Sequence, residues 1–252
     1  MESFNSNNST MLACFCCHLG WTDIINSMAL LKYYKSRFDK IFILMREDAK
    51  EMLEYFIKDS PNLEAIYYPL DILSVSVFGF YLQLQNTIKQ PIYPLFIGAH
   101  DQYRIDMYQK AFDRSNDFFS HRFYSAYDLD PKLRYEYFIF IRNKDLELKK
   151  YQEVIQDKKD YILINDTPEN PIDIPKNNTI SLTNLSSCFF DCIQILENAK
   201  EIHVIDSVWS CFCFMIDMKY KLLTNVKIFV YCKRGYKSFY EGHEKLPHWT
   251  IL

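Results

Sequence analysis

Residues 202–217 read IHVIDSVWSCFCFMID. Ile202 to Ile205 is a short apolar run of strand type. Asp206-Ser207 marks a helix start, because Asp and Ser side chains accept from the free N–H groups of a first turn. From Ser207 to Met218 the residues are apolar on almost every side, as a helix buried all round must be. Strand, Asp-Ser and helix in direct succession make most of a βαβ unit, and that unit predicts a parallel sheet.

The pattern extends outward from this stretch. Tyr161 to Asn165 reads as a strand, Asp166 to Asn178 as a loop and Thr179 to Leu182 as a short strand. Ser187 to Ala199 reads as an amphipathic helix with Phe189, Cys192, Ile193 and Leu196 at core spacing. Val226 to Tyr231 closes the half as another strand. The first half follows the same plan. Met11 to Cys17, Lys40 to Met45 and Leu63 to Tyr68 are apolar throughout, the signature of buried parallel strands. Thr22 to Lys35 and Glu47 to Lys58 have helical periodicity, with Thr22 or Asp23 as the first cap. Farther on, Asp71 to Thr87 and Arg104 to Arg114 predict helices, and Tyr93 to Ala99 and Tyr135 to Arg142 predict strands. Lys144 to Gln156 predicts a connecting helix. The expected organisation is a flexible tail over 1–10, an N-terminal domain over 11–155 and a C-terminal domain over 156–252.

Composition narrows the function classes. The 252 residues are 49% hydrophobic and 17% aromatic with a net charge of -3, so the chain has a core and lacks the basic footprint of a nucleic-acid binder. No apolar run is long enough for a membrane span or has the flanks of a signal peptide. The eight cysteines have no matching His pair for a zinc site and read as free thiols packed in a reducing cytoplasm. Asn165 and Asn184 open Asn-x-Ser/Thr triplets, which carry no meaning without a secretory signal. Five glycines, at 20, 79, 98, 235 and 242, permit neither a G-x-G-x-x-G fingerprint nor a Walker A loop.

Ligands of parallel sheets bind outside the carboxyl ends of the strands. That rule selects the loops at 18–23, after Met45, at 166–169 and at 206–210. At the last, helix N–H groups joined by the hydroxyls of Ser207 and Ser210 suit a phosphate, while Asp206 and Ser207 serve equally as an ordinary cap. At the first, Asp23 is a candidate general base or a cap, Gly20 permits a tight turn, and His18 either binds substrate or closes the turn. Asp128-Leu129-Asp130 matches a metal-binding D-x-D triplet or a plain Asp-rich turn, and the turn is the preferred reading. The aromatic residues Phe118, Phe119, Phe123, Tyr124 and Tyr127 read as packing.

Two segments together resemble the GT-B glycosyltransferases, in their heptosyltransferase-like branch. They are His18-Leu19-Gly20-Trp21-Thr22-Asp23 with the helix that follows, and Ala199 through Asp206-Ser207-Val208-Trp209-Ser210 to Asp217. The resemblance implies two Rossmann-like α/β halves facing a cleft. It implies sugar transfer from a nucleotide-sugar co-substrate to a glycan or other hydroxyl acceptor, with no metal and no other cofactor. Asp23 would be the catalytic base. His18 and Gly20 would line the acceptor side, and Asp166, Thr167, Asp206, Ser207 and Ser210 the donor side. The chain departs from the family at Val208, where a Gly is usual, at bulky Trp209, and in having no basic residue directly after Asn165. Arg142 and Lys176 are possible substitutes. These departures motivate an alternative: a catalytically inactive sugar- or nucleotide-binding or scaffolding protein.

Overall fold

In the computed structural model the chain divides into two compact units, residues 1–139 and 140–252. The structure describes residues 10–17, 20–69, 74–97, 123–175, 177–185, 188–233, 240 and 246–252. The expected tail before Thr10, His18, the helix at 104–114, Phe118, Phe119 and Lys176 lie outside the described residues.

The first unit is a parallel sheet of β1 (Leu12–Cys17), β2 (Lys40–Arg46), β3 (Leu63–Tyr68) and β4 (Ile92–Ile97), in the order β3-β2-β1-β4. All of β1 is buried, because it pairs on both sides and is covered on both faces. Helix α1 (Trp21–Tyr34) follows β1, and α2 (Lys50–Ile57) follows β2 after a 3-10 turn at Glu47–Ala49. Helix α3 (Ser74–Ile88) lies on one face, where Tyr81, Phe80, Leu84 and Ile88 meet Leu12, Cys14, Cys16, Phe42 and Phe96. Phe123 and Tyr124 are fully buried, and the Tyr124 hydroxyl donates to the Asn26 carbonyl at 2.7 Å, fastening this segment to α1.

The strand expected over Tyr135–Arg142 does not form. Leu133–Glu136 is a short helix, α4, and the chain beyond it is extended without a ladder. Its alternating apolar residues satisfy two cores instead of a sheet. Phe138 packs edge-on against Phe56 within the first unit, and Phe140 packs against Phe190 and Tyr220 within the second.

In the second unit β5 (Ile162–Asn165), β6 (Thr179–Ser181), β7 (Glu201–Ile205), β8 (Lys227–Tyr231) and β9 (Trp249–Ile251) pair in parallel in the order β6-β5-β7-β8-β9. Strand β9 had no counterpart in the sequence reading. The expected helix at 187–199 is a 3-10 turn, Phe189–Cys192, leading into a short α-helix at Ile193–Glu197. The expected connecting helix forms as Lys144–Ile155 and belongs by its contacts to this unit, where Arg142 is held between Glu147 and Glu197. All eight cysteines are free thiols, and only Cys232 is more than slightly exposed. Among the described residues no helix is long and apolar enough to cross a membrane.

The quoted stretch forms β7 and the buried helix Val208–Tyr220, and its last residue anchors the unit. Asp217 is fully buried. Its carboxylate accepts the Leu223 N–H at 3.0 Å and the Trp249 indole N–H at 2.8 Å, and His248 Nε2 lies 2.7 Å away. One side chain therefore ties the turn after this helix to the start of β9. Asp217→Ala strands two buried donors, and a loss of about 3 kcal/mol in urea unfolding is expected. A loss below about 1 kcal/mol would remove Asp217 from this role.

Candidate functional site

Strand order reverses direction twice, once in each unit. The sheet of the first unit grows from β1 to β2 and β3 on one side, then returns to place β4 on the other. The second grows from β5 to β6, then returns to place β7 beside β5. At such a reversal neighbouring loops leave in opposite directions and open a crevice at the carboxyl ends of the strands. The loops carrying Asp23 and Asp206-Ser207 follow β1 and β7, each at its unit's reversal.

On the first unit, α1 starts at Trp21, so its N-cap is Gly20 and neither Thr22 nor Asp23. Asp23 is the third residue of the helix. The Gly20 carbonyl accepts the N–H groups of Asp23 and Ile24, each at 3.0 Å. The Asp23 carboxylate reaches back to the Gly20 N–H, half of a capping box. Burial raises the Asp23 carboxyl to about 6, against the pull of that N–H, which favours the charged form. Gly20 has φ −67° and ψ 171°, open to any residue, so the turn itself does not require glycine. A Cβ there would stand 3.8 Å from Asp23 Oδ2, an ordinary contact.

The last residue of β2 is Arg46, which the sequence reading passed over. Its guanidinium pairs with Asp48, Nε to Oδ1 at 3.0 Å, and lies 5.7 Å from the centre of the Trp21 ring. Tyr68, opposite Arg46 on β3, buries a hydroxyl that has no hydrogen-bond partner among the described residues. Trp21, Asp23, Arg46 and Tyr68 thus gather around the carboxyl edge of this sheet. The only sequence signal for Arg46 was its place after the apolar run at 40–45.

On the second unit Ser207 caps the helix Val208–Tyr220 and forms a capping box with Ser210. The Ser207 N–H donates to Ser210 Oγ at 2.9 Å, and that hydroxyl donates to the Ser207 carbonyl at 2.8 Å. The Tyr240 hydroxyl also donates to Ser210 Oγ, at 2.7 Å. The Ser207 hydroxyl donates across the reversal to Asn165 Oδ1 at 2.6 Å, while Asn165 Nδ2 donates to Thr183 Oγ1 at 3.2 Å. The hydroxyl protons of both serines are therefore committed to protein acceptors. What remains for an anion are the first-turn N–H groups of Val208 and Trp209, which have no intrahelical partner. Trp209 does not obstruct them: its side chain is 4% exposed and packs on Phe189 with ring centres 4.7 Å apart.

The other candidates are placed as follows. Asp206 is buried at the end of β7. Asp166 Oδ2 accepts the Ile172 N–H at 3.4 Å, and Thr167 closes a tight turn with Asn170, so both shape the loop after β5. His203 lies on β7 between the Tyr231 hydroxyl at 3.0 Å and Glu201 at 3.1 Å, stacked on Phe229. Asp128 has φ 54° and Asp130 Oδ1 accepts the Lys132 N–H at 2.8 Å, so the D-x-D triplet is a turn. Among the described residues no three His, Cys, Asp or Glu side chains form a metal-ligand group.

No family model and no curated protein matches this chain. Its structure is similar to the crystal structure of the glycosyl transferase family 9 from Veillonella parvula DSM 2008, with a TM-score of 0.55 at 10% identity, over 96% of this chain and 85% of that one. At that identity the likeness is one of fold, and the GT-B-like α/β architecture expected from the sequence is present.

The raised Asp23 carboxyl has a consequence for stability. The native state keeps this proton to a higher pH than the unfolded chain, so stability falls as pH rises from about 4 to about 6. Asp23→Asn removes the ionisation, so the variant should gain on the parent across that window and hold the gain above it. A stability difference that does not change between pH 4 and 7 would show that Asp23 ionises freely.

Proposed function

We propose that the protein is a glycosyltransferase that moves a sugar from a nucleotide-sugar to a hydroxyl acceptor. The observation that carries this reading is the Asp23 carboxylate, part-buried and raised to about 6, at the reversal of the first sheet. The fold shared with a family 9 glycosyl transferase supports it.

In this reaction Asp23 takes the proton of the acceptor hydroxyl as its oxygen bonds to the anomeric carbon of the donor. The bond from that carbon to the diphosphate oxygen breaks, and the electron pair leaves with the nucleoside diphosphate. A base with a pKa near 6 is ionised at neutral pH yet basic enough to share a proton in the transition state. In the second unit the N–H groups of Val208 and Trp209, at the positive end of their helix dipole, suit a diphosphate without a metal ion. Asp206 beside them suits a hydroxyl of the donor's ribose or sugar, which can donate to a carboxylate. Arg46 and Trp21 flank the acceptor. The protein acts in the cytoplasm.

One observation favours a second reading, binding without turnover. Ser207 and Ser210 spend their hydroxyl protons on Asn165 and on their own cap, which weakens the grip on a diphosphate.

A thermal-shift screen with UDP-, GDP- and ADP-sugars tests the proposal. One of them should stabilise the protein, and hydrolysis of that donor should persist in EDTA. Turnover should rise with pH through about 6. Asp23→Asn should lower it by about two to four orders of magnitude while donor stabilisation is retained. Stabilisation without turnover would select the second reading, and no response to any nucleotide-sugar would defeat both.

A further inference from the structure

The corner where α1 ends lies at the opposite edge of the first sheet from Asp23. Lys32 is nine residues beyond Asp23, about 14 Å along the helix axis at about 1.5 Å per residue. The turn at 58–62, between α2 and β3, closes this corner. Asn62 ties it to the helix end, its Nδ2 donating to the Lys35 carbonyl at 2.8 Å and the Phe38 carbonyl at 3.2 Å. Within the turn the Ser60 N–H donates to the Ile57 carbonyl and the Leu63 N–H to the Ser60 carbonyl, each at 2.8 Å. Ser60 is 2% exposed. The corner is therefore a fixed frame.

Two amines meet this frame. Lys32 Nζ donates to Ser60 Oγ and Lys35 Nζ to the Asp59 carbonyl, each at 3.4 Å. Among the described residues Lys32 makes no ion pair, and Ser60 Oγ is its one hydrogen-bond acceptor. A hydroxyl has no negative charge with which to hold an ammonium. Lys35, three residues on and so on the same side of the helix, is a like charge. Lys32 is also half-buried, so water solvates its charge only in part. All three conditions favour the neutral amine. Burial first, and Lys35 second, lower the Lys32 amine to about 8, against the pull of Asp59, which favours the charged form. A lysine that is desolvated and set beside a second cation is a nucleophile near neutral pH.

We propose that Lys32 is an acylation site, its amine taking an acyl group from an acyl phosphate. The neutral nitrogen bonds to the carbonyl carbon, and the bond from that carbon to the phosphate oxygen breaks. The electron pair leaves with the phosphate, which also takes the proton lost by the nitrogen. An amide and inorganic phosphate result, and nothing is oxidised or reduced. An acyl phosphate suits this corner because Lys35 stands beside the nucleophile, and its charge attracts a phosphate dianion. A thioester offers no such charge next to its reactive carbon. The product amide is uncharged, so acylation also relieves the repulsion between the two amines.

The test is treatment of the full chain with acetyl phosphate at pH 7.5, followed by mass-spectrometric mapping of every acetylated lysine. At that pH an amine at about 8 is neutral in about a quarter of molecules, and one at the ordinary lysine value in about one in eight hundred. Lower basicity offsets part of that advantage, so Lys32 should react about tenfold faster than the median lysine. Its rate should level off above about pH 8. Lys35→Met should slow acetylation at Lys32, and Asp59→Asn should speed it. The response to nucleotide-sugars should survive acetylation, because Asp23 lies at the other edge of the sheet, so the two ideas can fail separately. A Lys32 rate within twofold of the median at pH 7.5 overturns the proposal. So does a Lys32 rate that Lys35→Met leaves unchanged.

Discussion

Both units depend on one constraint, the parallel pairing of a central strand on both of its edges. Parallel neighbours cannot be joined by a hairpin, so every connection crosses over a face of the sheet, and nearly always in one hand. Strands added on opposite sides of β1 then have crossovers on opposite faces. The same holds around β5. The interior of each sheet is covered, and at a reversal of this kind neighbouring connections leave in opposite directions. The candidate positions described above follow from that geometry before any side chain is specified.

Much of this was legible in sequence because it rests on local patterns. Continuous apolar runs located β1 to β3 to within a residue or two, and Asp206-Ser207 marked a helix start that the structure confirms at Ser207. What escaped was set by partners distant in sequence. Tyr135–Arg142 has strand composition, but Phe138 and Phe140 find two different cores and no ladder. Strand β9 is three residues long and owes its place to Asp217, more than thirty residues earlier. The Asn165–Ser207 hydrogen bond spans 42 residues, and its only local trace is a polar residue ending an apolar strand. The Tyr34–Tyr127 ring contact joins α1 to a residue far along the chain, a proximity that no window of sequence contains.

The cap of the first helix was misplaced for a related reason. Thr22 and Asp23 both have cap-forming side chains, whereas Gly20 has none, and local preference alone ranks them above it. The observed start at Trp21 lets Asp23 cap from inside the helix, by reaching back. A carboxylate at this third position meets the positive end of the dipole, which stabilises its charge. Burial opposes that effect and prevails, since the carboxyl is raised to about 6.

The two helix starts therefore differ in electrostatic character although each follows a strand at a sheet reversal. At Gly20 the cap has no side chain, and the nearest polar group is a carboxylate whose proton is loosely held near neutral pH. At Ser207 the cap side chains satisfy one another and Asn165, so the local field comes from backbone N–H groups. One terminus offers a proton acceptor and the other offers donors to negative charge. Each unit supplies one such position, and the difference between a glycine cap and a serine cap gives the two helix starts different local electrostatics.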